Sequence, residues 1–285
     1  MKKKLLLCLA VVLMSCLTAV AQDAKMQPLT FWYEYVVNPG KDAQFLDLVK
    51  AVGAPVRDKL LADGVVLAWG VKTPLLRIPG GSTHQIWYTV ADWSSVEKVD
   101  AAMRAQIMKL DDEAMKGGSV KKGAAPAAGV TARMMEIADI SKTHDYVTRD
   151  LVFVTGSGPM AANTLPWTRY NFVKVKPGKG SDYRKAWEKY NKPVLDKLVA
   201  DGVVLAYGLA VEEVRTDGDF THYTWVGVKD LGSLDKVRAA FNADRDKRSQ
   251  EEQDAITGEF LKAIDPDASR SEVDRSIIFH VKDMK

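Results

Sequence analysis

Of the four histidines in the 285-residue chain, His84 and His222 occupy matching places in two similar stretches, Thr83-His84 with Trp87 and Thr221-His222 with Trp225. A half-buried imidazole facing a pocket and titrating near neutrality could act as a general base, so His84 and His222 are the candidate catalytic residues. The competing assignment is a structural histidine hydrogen-bonded to a neighbouring strand or helix end, and duplication alone would match the pair. His144 and His280 have Arg270 and Val154 as counterparts and stand outside the repeated pattern. Arg77 with Arg215, and Arg149 with Arg275, are shared between the stretches. A guanidinium at a strand end could grip a carboxylate ligand with two hydrogen bonds, or pair with an acid of the same protein. Asp58 and Asp196, each followed by Lys, read as solvated helix positions.

Aromatic residues recur in the same way: Trp69 with Tyr207, and Trp87 with Trp225. They could line an apolar pocket, which makes these four, with Arg77 and Arg215, the candidate ligand-binding residues, or they could simply pack a sheet core. Other chemistries lack their motifs. No HxxxH or HExxH spacing is present, so no metal site is expected. Gly156-Ser157-Gly158 is not followed by an amphipathic helix that could receive phosphate, and Ser157 lacks a nucleophile-elbow context.

The formal charge is +3, and Lys2, Lys3 and Lys4 account for the excess. They precede an apolar stretch and then Ala19-Val20-Ala21, the order of an export signal too short to span a membrane. The expected product is periplasmic or secreted, with cleavage after Ala21. Leu13-Met14-Ser15-Cys16 offers an alternative, a lipid anchor at Cys16. Cys8 and Cys16 are the only cysteines, so the remainder carries no disulfide or thiol chemistry. With the leader gone the charges balance, which argues against a nucleic-acid partner.

The elements that would position these residues come from a repeat. A shift of 138 places residues 29–106 on 167–244 without a gap, with roughly two in five positions identical, well above shared composition. Pro39-Gly40-Lys41 falls on Pro177-Gly178-Lys179, and Ala62-Asp63-Gly64-Val65-Val66-Leu67-Ala68 falls on Ala200-Asp201-Gly202-Val203-Val204-Leu205-Ala206. Later the register becomes 126, pairing Arg149, Leu151 and Phe153 with Arg275, Ile277 and Phe279. The first copy therefore holds an insertion, placed in the Gly-, Ala- and Lys-rich residues 117–131. Residues 29–155 and 167–285 form the two repeats, joined by a linker over 156–166.

Each copy reads strand, helix, strand, strand, helix, strand. Alternation over 31–37 predicts the first strand, and Phe45, Leu48, Val49, Val52, Val56 and Leu60 recur at helical spacing. Pro55 and Pro193 should kink or split that helix, and Gly64 and Gly202 should end it in the left-handed conformation. Apolar runs at 65–71 and 203–209 predict second strands, and 83–90 and 221–228 third strands. Asp92 or Ser94 can cap the next helix, Ser94 and Glu97 having capping-box spacing. The last strands are expected near 147–155 and 274–281. The fold class is α+β, with antiparallel sheets and both helices of each unit on one face.

With the proline-glycine-lysine turn, the broken helix ending in Ala-Asp-Gly-Val-Val-Leu-Ala, and this strand order, the chain resembles the tandem form of the dimeric α/β-barrel superfamily of ferredoxin-like units. That superfamily includes antibiotic-biosynthesis monooxygenases and NIPSNAP-like proteins. The resemblance covers nearly all of residues 29–281. It implies two sheets packed face to face around a central barrel within one chain, as a monomer with an internal pseudo-dimer or a higher homo-oligomer. It also implies ligands in a cleft between sheet and helices. No cofactor is expected, with haem, axially held by His84 or His222, as the alternative the superfamily suggests. The leading functional expectation is binding of a small, mainly apolar molecule. The alternatives are a cofactor-independent oxygenase or isomerase with a His base, and a structural or partner-binding module using residues 117–131.

Overall fold

The computed structural model describes residues 27–78, 81–117, 129–156, 163–216 and 219–282. The leader with Cys8 and Cys16, most of the 117–131 insertion, and Ser157 with Gly158 lie outside the described residues. No described helix is long and apolar enough to cross a membrane.

Strand β1 (Leu29–Tyr35) leads through Pro39-Gly40, where Gly40 takes φ 77°, into α1 (Asp42–Leu48). A π turn over Val49–Gly53 interrupts the helix before α2 (Ala54–Ala62), so Pro55 sits in a first turn, where its missing N–H is no loss. The same break recurs at Asn191, between α5 (Gly180–Tyr190) and α6 (Lys192–Ala200). Gly64 and Gly202 end these helices at φ 75° and 69°, a conformation strained for any side chain. Strands β2 (Val66–Pro74) and β3 (His84–Val90) follow, then α3 (Trp93–Gly117), α4 (Val130–Ile137) and β4 (His144–Thr155). The second half continues with β5 (Trp167–Val175), the two helices α5 and α6, β6 (Ala206–Val214), β7 (His222–Val228), α7 (Gly232–Arg245), α8 (Gln250–Ala263) and β8 (Ile264–Val281).

Eight antiparallel strands close into a barrel in the order β1-β3-β2-β8-β5-β7-β6-β4. The expected pair of facing sheets is corrected to one continuous sheet, because both last strands pair on two sides. Strand β4 pairs with β1 over its first half and reaches β6 with its second, while β8 pairs with β5 and then with β2. No sheet edge is left open, which removes the usual site of strand-on-strand association.

Alternation along each strand separates two environments. Outward residues such as Leu29, Val66, Trp69, Val71, Ile86 and Tyr88 pack under α1 and α2 with Phe45, Leu48 and Val52. A matching cluster of Tyr207, Leu209 and Val226 lies under Tyr183, Trp187 and Leu195. Inward residues form a third cluster of Trp32, Tyr146, Tyr170, Phe172, Phe220 and Tyr223.

One expectation about elements needs correction, one choice is decided, and two helices are added. Val203 and Val204 do not begin β6, because both N–H groups turn back to the Leu198 carbonyl at the end of α6. Of the two expected caps for the second long helix, Asp92 takes the role, accepting from Ser95 N at 2.9 Å as Asp230 accepts from Ser233 N at 2.8 Å. Helices α4 and α8 were not anticipated, although Ser249 and Glu252 form a capping box at the start of α8.

Candidate functional site

The barrel interior is not filled along its whole length. A cavity of about 1000 Å3 is lined by Thr30, Trp32, Lys72, Trp87, Thr89, Asp150, Thr168, Tyr170, Tyr223, Trp225 and Phe279, and reaches Gln27, Pro28, Ala91 and Val281 at strand ends. At the other end, Glu34 accepts from Gln85 Nε2 at 3.0 Å and Tyr146 Oη at 3.2 Å, while Phe172 and Phe220 pack at 4.9 Å. That plug leaves the hollow at one side of the barrel.

Two mid-strand glycines make the wall possible. A Cβ on Gly70 would lie 2.9 Å from the Trp87 ring and 2.5 Å from the Ile278 carbonyl oxygen, and one on Gly208 would run into the Trp225 indole nitrogen and lie 2.8 Å from the Val152 carbonyl oxygen. Each indole therefore lies flat across a strand that has no side chain beneath it. Trp87 also packs on Trp32 and Phe279, and Trp225 on Phe153, at 5.8–6.0 Å between ring centres.

The polar groups of the cavity are few and differ in kind. Lys72 Nζ lies 2.6 Å from Asp274 Oδ2, both side chains being almost fully buried. The ammonium is also held between the rings of Tyr170 at 3.7 Å and Trp32 at 4.4 Å. Burial disfavours its charge, but Asp274, with Tyr170 and Glu272 nearby, outweighs this and lifts Lys72 to about 12. Asp274 Oδ1 has no hydrogen-bond donor among the described residues. Trp32 Nε1 donates to Thr148 Oγ1 at 3.1 Å, and Thr148 Oγ1 meets Tyr223 Oη at 3.1 Å, a chain across the interior. Among the described residues Asp150 has no side-chain hydrogen bond or ion pair, and burial raises its carboxyl to about 7.

Trp87, Trp225 and Arg149 are the sequence candidates on the cavity wall. The others lie elsewhere. Trp69 and Tyr207 are fully buried on the outer face, where Trp69 Nε1 donates to Asp58 Oδ1 at 2.9 Å and Tyr207 Oη donates to Asp196. Asp58 and Asp196 are thus anchors that tie α2 and α6 to the barrel, a correction to their reading as solvated positions. Arg77 is exposed and 3.3 Å from Asp42, and Arg215 is exposed near β7. Arg149 makes a bidentate pair with Glu213 at 2.8 and 2.5 Å.

The histidines do not face the cavity. His84 is buried against Phe45 at 4.8 Å, its Nδ1 3.2 Å from Thr83 Oγ1 and its Nε2 3.8 Å from Asp42. His222 packs on Tyr183, its Nδ1 3.0 Å from Thr221 Oγ1. Both sit under the N-terminal ends of α1 and α5, on the outer face of the sheet. Burial lowers both, His222 to about 4 with Arg215 adding to the effect. His144 lies at the plugged end, 3.8 Å from Glu34, and His280 lies outside the barrel against Asp58 at 2.6 Å. The expected cleft between sheet and helices is occupied by this outer core, so the cavity is inside the ring of strands instead.

Sequence reasoning missed Lys72, Asp274 and Asp150. Their counterparts under the repeat registers are Ala210, Thr148 and Ser276, so a search for shared residues passes over them. A lone charge beside an apolar strand run, as in Gly70-Val71-Lys72, was the available signal.

Solved structures share this architecture. A candidate monooxygenase from Fusobacterium nucleatum subsp. nucleatum superposes with a TM-score of 0.58 at 13% identity, over 91% of this chain and 96% of that one. A candidate monooxygenase from Lactobacillus acidophilus gives 0.54 at 9% identity, over 90% and 97%. An anthrone oxidase-like protein gives 0.51 at 11% identity, over 91% and 94%. These identities speak for a common fold. No protein-family model matches the chain, and no curated protein matches its sequence.

Proposed function

We propose that the protein binds a small, mainly apolar molecule inside its barrel. The observation that carries this is the cavity of about 1000 Å3 walled by Trp32, Trp87, Tyr170, Tyr223, Trp225 and Phe279. Its size suits a compact organic ligand, and its scattered threonines, tyrosines and Asp150 give a few fixed polar points in an apolar wall. In this reading the chain is a tandem pair of ferredoxin-like units of the antibiotic-biosynthesis-monooxygenase and NIPSNAP-like kind, divided at residues 156–166. The strand order, four neighbours from each half, supports it. The leader would export the protein to the periplasm or beyond, by cleavage after Ala21 or with Cys16 lipidated.

Ala68 lies on the cavity wall, so Ala68→Phe should fill part of the space while leaving the outer core untouched. Native mass spectrometry and thermal shift across a panel of neutral apolar compounds should find binders for the wild type, with affinity lost at least tenfold in the variant. If no compound binds, or if the filled variant binds equally well, the cavity is not the site.

A second reading, a cofactor-independent oxygenase or isomerase, is favoured by Asp150 and not by the histidines. An unpaired carboxyl raised to about 7 by burial is suited to accepting a proton from a bound substrate. Asp150→Asn should then lower turnover about 100-fold or more, while the double variant of His84→Gln and His222→Gln keeps it; the opposite pattern restores the histidines. Haem fits poorly. Among the described residues no histidine lines the cavity, and Lys72 is already engaged by Asp274.

A further inference from the structure

We propose that the barrel cavity selects an organic cation, a primary or secondary ammonium on an apolar body, and holds its charge on Asp150. The inference rests on the reading of the cavity as a small-molecule site and names the chemistry of its ligand.

The argument begins with the charges on the wall. Lys72 is paired with Asp274, Arg149 with Glu213, and Arg184 with Glu188 at 2.8 Å. Each cation at the cavity therefore already has its anion. Asp150 has neither an ion pair nor a side-chain hydrogen bond among the described residues, and its own backbone N–H is spent on the Pro28 carbonyl at 3.1 Å. With each of these cations counted with its own anion, Asp150 is the carboxylate left without a counter-charge. An anionic ligand would enter beside an unshielded carboxylate, whereas an ammonium would supply the missing partner of the half-buried Asp150.

The same interior already contains such an arrangement. The Lys72 ammonium is held by one carboxylate and two aromatic faces, those of Trp32 and Tyr170. Asp150 shares its cavity with Tyr223, Trp225 and Phe153, again a carboxylate among aromatic rings. Tyr223 is close enough for the Asp150 charge to act on its hydroxyl. Ring faces attract a desolvated ammonium, so a ligand cation would repeat at Asp150 what Lys72 does at Asp274.

Affinity should also depend on pH. The titratable group on which the Asp150 charge acts is the Tyr223 hydroxyl from β7, while the other charged groups of the cavity wall, Lys72 from β2, Arg149 on the same strand and Arg184 from α5, are held by Asp274, Glu213 and Glu188. Burial holds the carboxyl near 7 in the free protein, so the ionised form that attracts ammonium is gained between pH 6 and 8.

Calorimetric titration of the intact chain with naphthylmethylamine, naphthylmethanol and naphthaleneacetic acid tests this. At pH 8 the amine is expected to bind at least tenfold more tightly than the alcohol, and the acid most weakly. Asp150→Asn should erase the preference for the amine while still binding the alcohol; Asp150→Glu should retain part of it. Equal binding of amine and alcohol, tighter binding of the acid, or a preference unchanged in Asp150→Asn would overturn the proposal and leave the neutral apolar site standing. Failure of all three probes to bind would overturn both.

Discussion

Lys72→Met is expected to cost about 3–5 kcal/mol of unfolding free energy at pH 7, because it leaves a buried carboxylate without its counter-charge. The cost comes from the partner left behind. Asp274 is 1% exposed, and its Oδ1 has no donor among the described residues, so nothing else neutralises it. The combined change of Lys72→Met and Asp274→Leu should recover most of the loss, since a buried pair and an apolar replacement of similar volume differ little in stability. Urea unfolding of wild type, single and double variants at pH 7 measures both. A single variant as stable as wild type would mean that the pair is more hydrated than its burial indicates. Lys72 stays charged well above physiological pH. Its raised pKa makes its contribution fully present below the unfolded value near 10.4 and lost only as pH rises through about 12.

Acid should act through the outer face. The His222 imidazole has a folded pKa of about 4 against an unfolded value of 6.5, so the unfolded chain takes up its proton first. Its contribution is full above pH 6.5 and is lost as pH falls towards 4, by about 3 kcal/mol at the bottom of that window. His84 is shifted in the same direction. Asp150 works with the opposite sign, because its raised pKa makes ionisation unfavourable to the fold above the unfolded carboxyl value. The wild-type curve is therefore a sum, and the comparison isolates the imidazole: His222→Gln should flatten the loss of thermal stability between pH 6.5 and 4. An identical acid slope in wild type and variant would show that His222 is protonated in the folded state.

Much of the scaffold was legible from residues that both halves share. Pro55 and Pro193 mark the helix breaks, Gly64 and Gly202 mark the left-handed ends, and alternation around Trp32 marks an inward face. What failed was the step from shared residues to a site. His84, His222, Trp69 and Tyr207 match because each half must seat helices on its sheet, and they are consumed by that task. The interior obeys a different rule. Lys72 has Ala210 as its counterpart, Asp274 has Thr148, and Asp150 has Ser276. One cavity built from two similar halves needs one ligand's worth of polar groups, so the informative positions are the unmatched ones. Gly70 and Gly208 belong to neither failure: their mid-strand placement was visible, but that each makes room for an indole depends on a cross-strand neighbour.

The two-sided pairing of β4 and β8 bears on how the chain is made. While a ribosome has delivered only the first half, β2 lacks β8 and β4 lacks β6, so both flanks of a four-stranded sheet expose unpaired N–H and C=O groups and one uncovered aromatic face. These are the conditions under which nascent chains stick to one another. Closure waits for residues near 281, which pair with Ala68 more than two hundred positions earlier. Such distant contacts make for slow, late folding. The hollow therefore comes into existence only once β8 has been made, and the first half alone cannot possess it.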